Sequence, residues 1–292
     1  MSFITDSTVL VVGTGYVGSA LVLRLRATGN RVIALTRQPR AAMAGEHVVT
    51  ADVLEPASLT AIDAAIDYIV YLVSPDQPND EGYRAAYVDG IRNVLEYSAL
   101  RQPSLKRVLF ASSTAVYGQS DGSWVDETSP TEPTSFHGQR LLEAERLLGA
   151  WVLPHSVVRF GGIYGPGRQR LLTSVIDGTA SVAHEPVYTN RIHRDDCAGL
   201  LVHLMSLQSA DSLYLGVDHE PADRRAVLEW LARATQSRPP AVKDDPEQRR
   251  QGNKRCSNSR VLATGYRFAY PSFREGYAEM IDRLGHGSRA SP

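Results

Sequence analysis

Through its first half the chain alternates short apolar runs with stretches of mixed polarity. Val9-Leu10-Val11-Val12 predicts a buried strand, and the polar-studded Ser19 to Thr28 predicts the helix that follows. Further strands are expected at Arg31 to Thr36, His47 to Ala51, Asp67 to Val73 and Arg107 to Ser112. From Asp80 to Ala99, the residues Tyr83, Tyr87, Ile91, Val94, Leu95 and Ser98 recur at helical spacing, which predicts a long helix with one buried face. Strands this short and apolar, separated by helices, imply a parallel sheet covered on both faces.

The second half is less regular. A Pro- and Ser-rich patch, Thr128 to Thr134, leads into a predicted helix from Gly138 to Gly149, and His155 to Phe160 reads as another strand. Gly161 to Gly167 is turn-like, while Asp195 to Leu207 and Ala222 to Thr235 have helical patterning. The polar, charged run Arg238 to Arg255 is expected to be a surface loop. The pattern thus divides into a first domain over residues 1–161 and a smaller lobe over 162–292 that returns partly to the sheet.

Between the first strand and first helix stands Gly13-Thr14-Gly15-Tyr16-Val17-Gly18. In that setting Gly-x-Gly-x-x-Gly signals dinucleotide binding. Gly13 allows a tight turn, Gly15 lets a pyrophosphate approach the backbone, and Gly18 lets helix and strand pack closely. The expected fold is therefore an α/β Rossmann fold, a doubly wound parallel sheet with a smaller C-terminal substrate lobe.

Composition narrows the function classes. A formal charge of −1 leaves no electrostatic footprint for nucleic acid or an anionic membrane. No apolar run reaches the length of a membrane span. Cys197 and Cys256 make no disulfide framework and lack metal-ligand spacing, so reduced thiols, a cytoplasmic location and no metal site are expected.

Five further segments, in order, resemble the extended short-chain dehydrogenase/reductase family of NAD(P)-dependent sugar epimerases and dehydratases. They are RVLFASSTAVYG (107–118), WVDETSPTEPTSFHGQRLLEAERLL (124–148), VVRFGGIYGPG (157–167), RIHRDDCAGLL (191–201) and SNSRVLATGYRF with YPSFREG (257–276). The resemblance covers nearly the whole chain and makes Ser113 the serine that binds a substrate carbonyl or alcohol. It also exposes departures. The family's Tyr-x-x-x-Lys proton relay falls on Phe136-His137-Gly138-Gln139-Arg140. Phenylalanine has no proton to exchange, and arginine can hold a ribose hydroxyl but does not shuttle protons near neutral pH. The usual asparagine of the preceding helix is replaced by Tyr87. Tyr117, near Ser113 in sequence, and His137 are the conceivable substitutes, histidine being suited to acid/base work near neutrality. Family members usually carry Gly-x-x-Gly-x-x-Gly, one residue longer than the turn here. Gly-x-Gly-Tyr-Val-Gly also resembles the opening of nucleotide-sugar 6-dehydrogenases, but neither cysteine lies in a fitting context for their thiolate chemistry.

An NAD-selective site usually ends its second strand with a carboxylate. Here Thr36 and Arg37 stand there, with Arg40 nearby, and a guanidinium suits a 2′-phosphate, so NADP(H) is favoured over NAD(H). Asp52 and Val53 are expected at the adenine edge, and Leu72, Val73 and Ser74 along the adenosine and pyrophosphate crevice. Tyr16 and Val17 lie within the glycine turn, and Arg140, Phe160 and Gly162 are expected on the nicotinamide side. Tyr164, Arg168, Arg191 and His193, with Lys254 and Arg255, form the expected substrate side for an anionic small molecule. Two functions stay open: an oxidoreductase with Ser113, Tyr117 and Arg140 as catalytic candidates, or a non-catalytic dinucleotide sensor. The resemblance also implies a homodimer, with Tyr97, Leu141 and Leu148 as contacts.

Overall fold

The computed structural model describes residues 4–42, 45–243 and 252–287. Strand β1 (Thr8–Val12) is the hub of a seven-stranded sheet. It pairs in parallel with β2 (Arg31–Thr36) on one side and β4 (Tyr68–Tyr71) on the other. Beyond β2 lies β3 (Glu46–Thr50), and beyond β4 lies β5 (Arg107–Ser113), both parallel to their neighbours. With β6 (His155–Phe160) and β9 (Leu213–Gly216), the order is β9-β6-β5-β4-β1-β2-β3. The central strands are fully buried, as their unbroken apolar runs require. Strand order reverses between β1 and β4, and in open α/β sheets that switch point opens a ligand crevice at the carboxyl ends.

Helix α1 (Tyr16–Ala27) starts earlier than the polarity pattern predicts, because the last turn of the glycine motif is itself helical. The long predicted helix is split into α2 (Asp80–Tyr83), a π-helical stretch Arg84–Asp89 and α3 (Gly90–Arg101). The cause is a neighbour on the sheet. The buried Tyr71 hydroxyl donates to Ala86 O at 2.5 Å, while Gly90 N turns to Ala85 O. A Cβ on Gly90 would lie 2.4 Å from the Tyr71 hydroxyl, so glycine is required at this crossing. The wider π turn leaves Tyr83 and Tyr87 half-buried, outside the apolar face formed by Ile91, Val94 and Leu95.

Helix α4 (Phe136–Gly149) also begins earlier than predicted, with Ser135 accepting from Gly138 N as its N-cap. Gly138 sits so close to the chain after β5 that a Cβ would be 2.4 Å from Ala115 O. Deeper along α4, the Glu145 carboxylate meets Arg159 of β6 at 2.6 Å and accepts from Ser112 of β5 at 2.5 Å. This buried triangle fixes α4 beside the end of β5.

Two compact units interleave along the chain. One comprises Met1–Val116, Thr131–Arg159 and Cys197–Tyr214; the other comprises Tyr117–Pro130, Phe160–Asp196 and Leu215–Pro292. The second unit contains β7 (Gly162–Tyr164), α5 (Arg170–Ile176), β8 (Arg191–His193), α7 (Arg224–Ala234) and α8 (Phe273–Gly287). Its core joins Tyr164, Leu172, Val227, Leu231, Phe273 and Tyr277. The expected division at residue 161 lies close to the Arg159/Phe160 crossing, while segments 117–130 and 197–214 each belong to the other unit. Helix α6 (Arg194–Ser206) runs through one of these crossings.

Tyr97, Leu141 and Leu148 are buried within the first unit, and the Tyr97 hydroxyl donates to Ile62 O. They cannot be the contacts of a dimer. Both cysteines are buried thiols outside any disulfide. Among the described residues no His, Cys, Asp and Glu group could hold a metal, and no helix is long and apolar enough to cross a membrane. Residues 244–251 of the expected charged loop lie outside the described residues.

Candidate functional site

At the carboxyl end of β1 the chain turns through Gly13 with φ at +94°. A Cβ there would also come within 2.9 Å of the Leu72 and Val73 backbone, which fixes the end of β4 against the turn. A Cβ on Gly18 would lie 2.1 Å from Gly13 O, so α1 packs directly on the turn. Gly15 differs: nothing lies within 4 Å of its Cβ position. It is the N-cap of α1, has no side-chain cap, and no acidic residue follows in the first turn. A helix N-terminus with open approach and no competing carboxylate fits a pyrophosphate.

On the β2 side, Arg37 extends to Asp76 beyond β4. Both guanidinium nitrogens bond the carboxylate, Nη2 to Oδ1 at 2.6 Å. The pair is half-exposed, and Arg37 holds the Asp76 carboxyl below its usual range. Asp76 was not legible as a site residue, since its pairing depends on two loops meeting across β1. The Thr36 hydroxyl donates to Gln38 O, and Arg40 is committed to the buried Glu46. Asp52 accepts from Leu54 N, and Val53 is buried with its carbonyl taken by Asn93. Ser74 is exposed, while Leu72 and Val73 are half-buried.

On the other side of the switch point, the Ser113 hydroxyl accepts from Ala115 N at 3.1 Å, which leaves its proton free to donate. The start of α4 holds an aromatic cluster in place of a Tyr/Lys relay. The rings of Tyr83 and His137 lie 4.6 Å apart edge to face, Tyr83 and Phe136 lie 5.5 Å apart, and Tyr83 also meets Tyr87. Burial pushes the Tyr83 hydroxyl up and that of Tyr87 up to about 12, so both favour the protonated form. Arg140 is not extended as a free cation. Its Nε and Nη2 bond Asp80 at 2.7 Å each, and Nη1 bonds Glu143 at 2.7 Å. Those hydrogen bonds, with Asp80 first, raise its pKa further. In this structure Arg140 ties α4 to α2.

Tyr117 belongs to the second unit, is buried, and donates its hydroxyl to Asp126 O at 2.7 Å. That is a packing role, and it corrects the expectation of a catalytic tyrosine. Lys254 is likewise buried and donates to Tyr117 O, while the Arg255 guanidinium lies over Trp124 and Tyr188. Neither is a free cation for a substrate.

The other substrate-side candidates gather on two parallel strands of the second unit. Gly162 pairs with Arg191 and Tyr164 with His193. Tyr164 stacks on Tyr277 at 4.7 Å, and burial raises its pKa. His193 lies against Tyr270 at 3.8 Å and accepts from Asp195 N on Nδ1, which leaves the proton on Nε2; burial lowers its pKa. Arg191 is buried with one nitrogen on Thr189 Oγ1 at 2.5 Å. Asp218, whose amide donates to Arg191 O, has its carboxyl pushed up to about 7 by burial. Side-chain atoms of Arg191, His193 and Asp218 are buried without a hydrogen-bond partner. These residues are interior, so the expected open cationic surface is not what β8 presents. Arg168 is exposed on a turn closed by its amide to Gly165 O. Phe160 is buried, and Gly162 is exposed beside Asn190.

A doubly wound sheet with a glycine turn at its switch point defines an NAD(P)-binding α/β protein. Residues 9–206 match the model of the NAD dependent epimerase/dehydratase family. The chain belongs to that family. It is 31% identical over 261 residues to 3-diazoavenalumate denitrifying reductase of Streptomyces sp., covering 80% of this chain and 83% of that protein. It is 27% identical to protein YeeZ of Escherichia coli (strain K12), covering 90% and 96%. A solved structure from Methylobacillus flagellatus is 36% identical, with a TM-score of 0.82 over 96% of this chain and 99% of that one. The human epimerase family protein SDR39U1, solved with NADPH, shares the fold at 20% identity, with a TM-score of 0.77 over 93% of this chain and 98% of that one.

Proposed function

We propose that this protein is an NADP(H)-dependent oxidoreductase of the epimerase/dehydratase family whose proton relay differs from Tyr-x-x-x-Lys. The carrying observation is the glycine turn: the open Cβ position at Gly15 faces an α1 N-terminus free of acidic residues. The amides there would hold the pyrophosphate, and Arg37, with no carboxylate at the end of β2, would take the 2′-phosphate. Relatives support both cofactors: SDR39U1 was solved with NADPH, MoeE5 with NAD. When bound, the nicotinamide supplies or accepts a hydride. Ser113 would donate to a carbonyl or alcohol oxygen of the substrate. His137, held against Tyr83, is the imidazole at the start of α4 that would take the place of the missing relay, and Tyr83 and Tyr87 would serve as hydrogen-bond donors. The substrate class is a small carbonyl or alcohol compound, nucleotide-sugar-like in the manner of the UDP-glucuronic acid bound by MoeE5, and Arg168, the exposed residue of the expected cationic set, would meet any negative charge it carries. The two buried thiols fit a reducing cytoplasm. A homodimer would have to use the outward faces of α3 and α4.

One observation favours a second reading, a dinucleotide-sensing protein without hydride chemistry: Arg140 is tied to Asp80 and Glu143. The test begins with fluorescence titration of NADPH and NADH, expecting tighter NADPH binding and its loss in Arg37→Leu. Equal affinities in the parent would remove the NADP(H) assignment. NADPH oxidation is then followed with carbonyl substrates in the parent, in His137→Gln and in Phe136→Tyr/Arg140→Lys. General acid catalysis contributes about 10² to 10⁴ in rate. Turnover in the parent that falls in His137→Gln supports the enzyme reading. Activity found only in the Phe136→Tyr/Arg140→Lys double variant supports the sensor.

A further inference from the structure

We infer that Asp76 is a specificity-determining residue: its carboxylate occupies the Arg37 fork where the 2′-phosphate of NADP(H) would bind, and so limits the preference for that cofactor. The inference rests on the reading of Arg37 as the 2′-phosphate ligand. Arg37 follows β2 directly and Asp76 lies in the chain beyond β4, and these two strands flank β1. The pair therefore joins the loops on either side of the strand that carries the Gly13–Gly18 turn. Its geometry is that of a bound anion, with both terminal nitrogens on one carboxylate. A guanidinium offers the same planar fork to a carboxylate and to a phosphate, so the two compete for one place.

The competition is between unequal anions. Arg37 and Asp76 side chains are 51% and 57% exposed. An ion pair at that exposure is weakly held, whereas a 2′-phosphate brings up to two charges and three acceptor oxygens to the same fork. NADP(H) can displace Asp76. NAD(H) presents only neutral ribose hydroxyls there and leaves the pair intact. Once displaced, the ionised carboxylate stays tethered near the phosphate and repels it. Asp76 thus lowers affinity for NADP(H) twice, by occupying the fork and by its charge, and has no comparable effect on NAD(H). Without Asp76, the preference set by Arg37 would be larger.

The experiment measures Kd for NADPH and NADH, by fluorescence titration at fixed ionic strength, in the parent, Asp76→Asn, Asp76→Ala and Arg37→Leu. Circular dichroism confirms that each variant is folded. Removing an exposed competing charge should tighten NADPH binding about two- to fivefold in both Asp76 variants, with the NADH Kd unchanged within about twofold. Arg37→Leu should bring the two cofactors close to equal affinity. If Arg37→Leu collapses the preference but the Asp76 variants bind NADPH no better than the parent, the inference about Asp76 is wrong and the cofactor assignment stands. If Arg37→Leu leaves the NADPH/NADH ratio unchanged, the cofactor assignment itself fails. Weaker NADH binding in the Asp76 variants would make that carboxylate a ribose ligand and overturn the inference.

Discussion

Two glycines three residues apart answer different demands, and substitution separates them. At Gly18 a Cβ would strike Gly13 O at 2.1 Å, so Gly18→Ala should cost about 1–3 kcal/mol of stability as α1 is pushed off the turn. At Gly15 the Cβ position is open, so Gly15→Ala meets no neighbour and should cost only the N-cap preference, about 1 kcal/mol, while losing dinucleotide affinity. Urea denaturation with NADPH titration reads both; a Gly15→Ala protein that binds normally would move the pyrophosphate elsewhere. Asp218 carries a pH signature. Its carboxyl is raised from 3.8 to about 7 by burial. Between those values the folded chain keeps a proton that the unfolded chain has lost, so this residue makes stability fall as pH rises, with no further change above about 7. The neutral, buried His193 acts in the opposite sense, costing stability as pH falls through the histidine range. Asp218→Asn should therefore flatten the decline in denaturation free energy across that window. An unaltered slope would show that Asp218 titrates normally.

Among the elements, α4 is held at two points of contrasting kind. Near its start Arg140 reaches Asp80 and Glu143 in a partly exposed network, which links helices but contributes little to stability. Farther along, Glu145 and Arg159 are only 7% and 6% exposed, and Glu145 also accepts from Ser112. Breaking a buried pair leaves a charge without its partner, which costs about 3–5 kcal/mol. Glu145→Gln should approach that loss in urea denaturation, and a change below about 1 kcal/mol would mean that the network is dispensable. The helical patterning of Phe136 to Gly149 is readable because Leu141, Leu142 and Leu148 repeat along one face. The polar triangle beneath it is not, because Ser112, Glu145 and Arg159 are far apart in sequence and none is unusual where it stands. The π stretch before α3 was equally hidden, since it depends on a tyrosine hydroxyl supplied by β4.

For the molecule as a whole, a ligand that binds only the folded form raises its stability by mass action. NADPH at about 100 times its Kd should add about 2.7 kcal/mol, and NADH at the same concentration should add less. Thermal unfolding followed with each cofactor checks the order; equal shifts would count against a 2′-phosphate site. The interleaving of the two units is also a property of the whole. A single cut near residue 161 reads the chain as a string, yet segments 117–130 and 197–214 join the unit against which they pack.

The sequence by itself determined the parallel sheet, the glycine turn at its switch point and the loss of the Tyr/Lys pair. All three are local: apolar runs, glycine spacing and residue identity at fixed offsets in a motif. Tertiary structure decided which of the named side chains are available for chemistry. Tyr117, Arg140, Lys254 and Arg255 all carry suitable groups, and each is engaged by a partner distant in sequence or across an element boundary. Asp76 carried no signal until Arg37 was seen to meet it. Hydrogen bonds and ion pairs act over a few ångströms in space, so their partners are set by how strands and helices assemble. Burial, which raised the Asp218 carboxyl and lowered the His193 ring, is likewise set by that assembly.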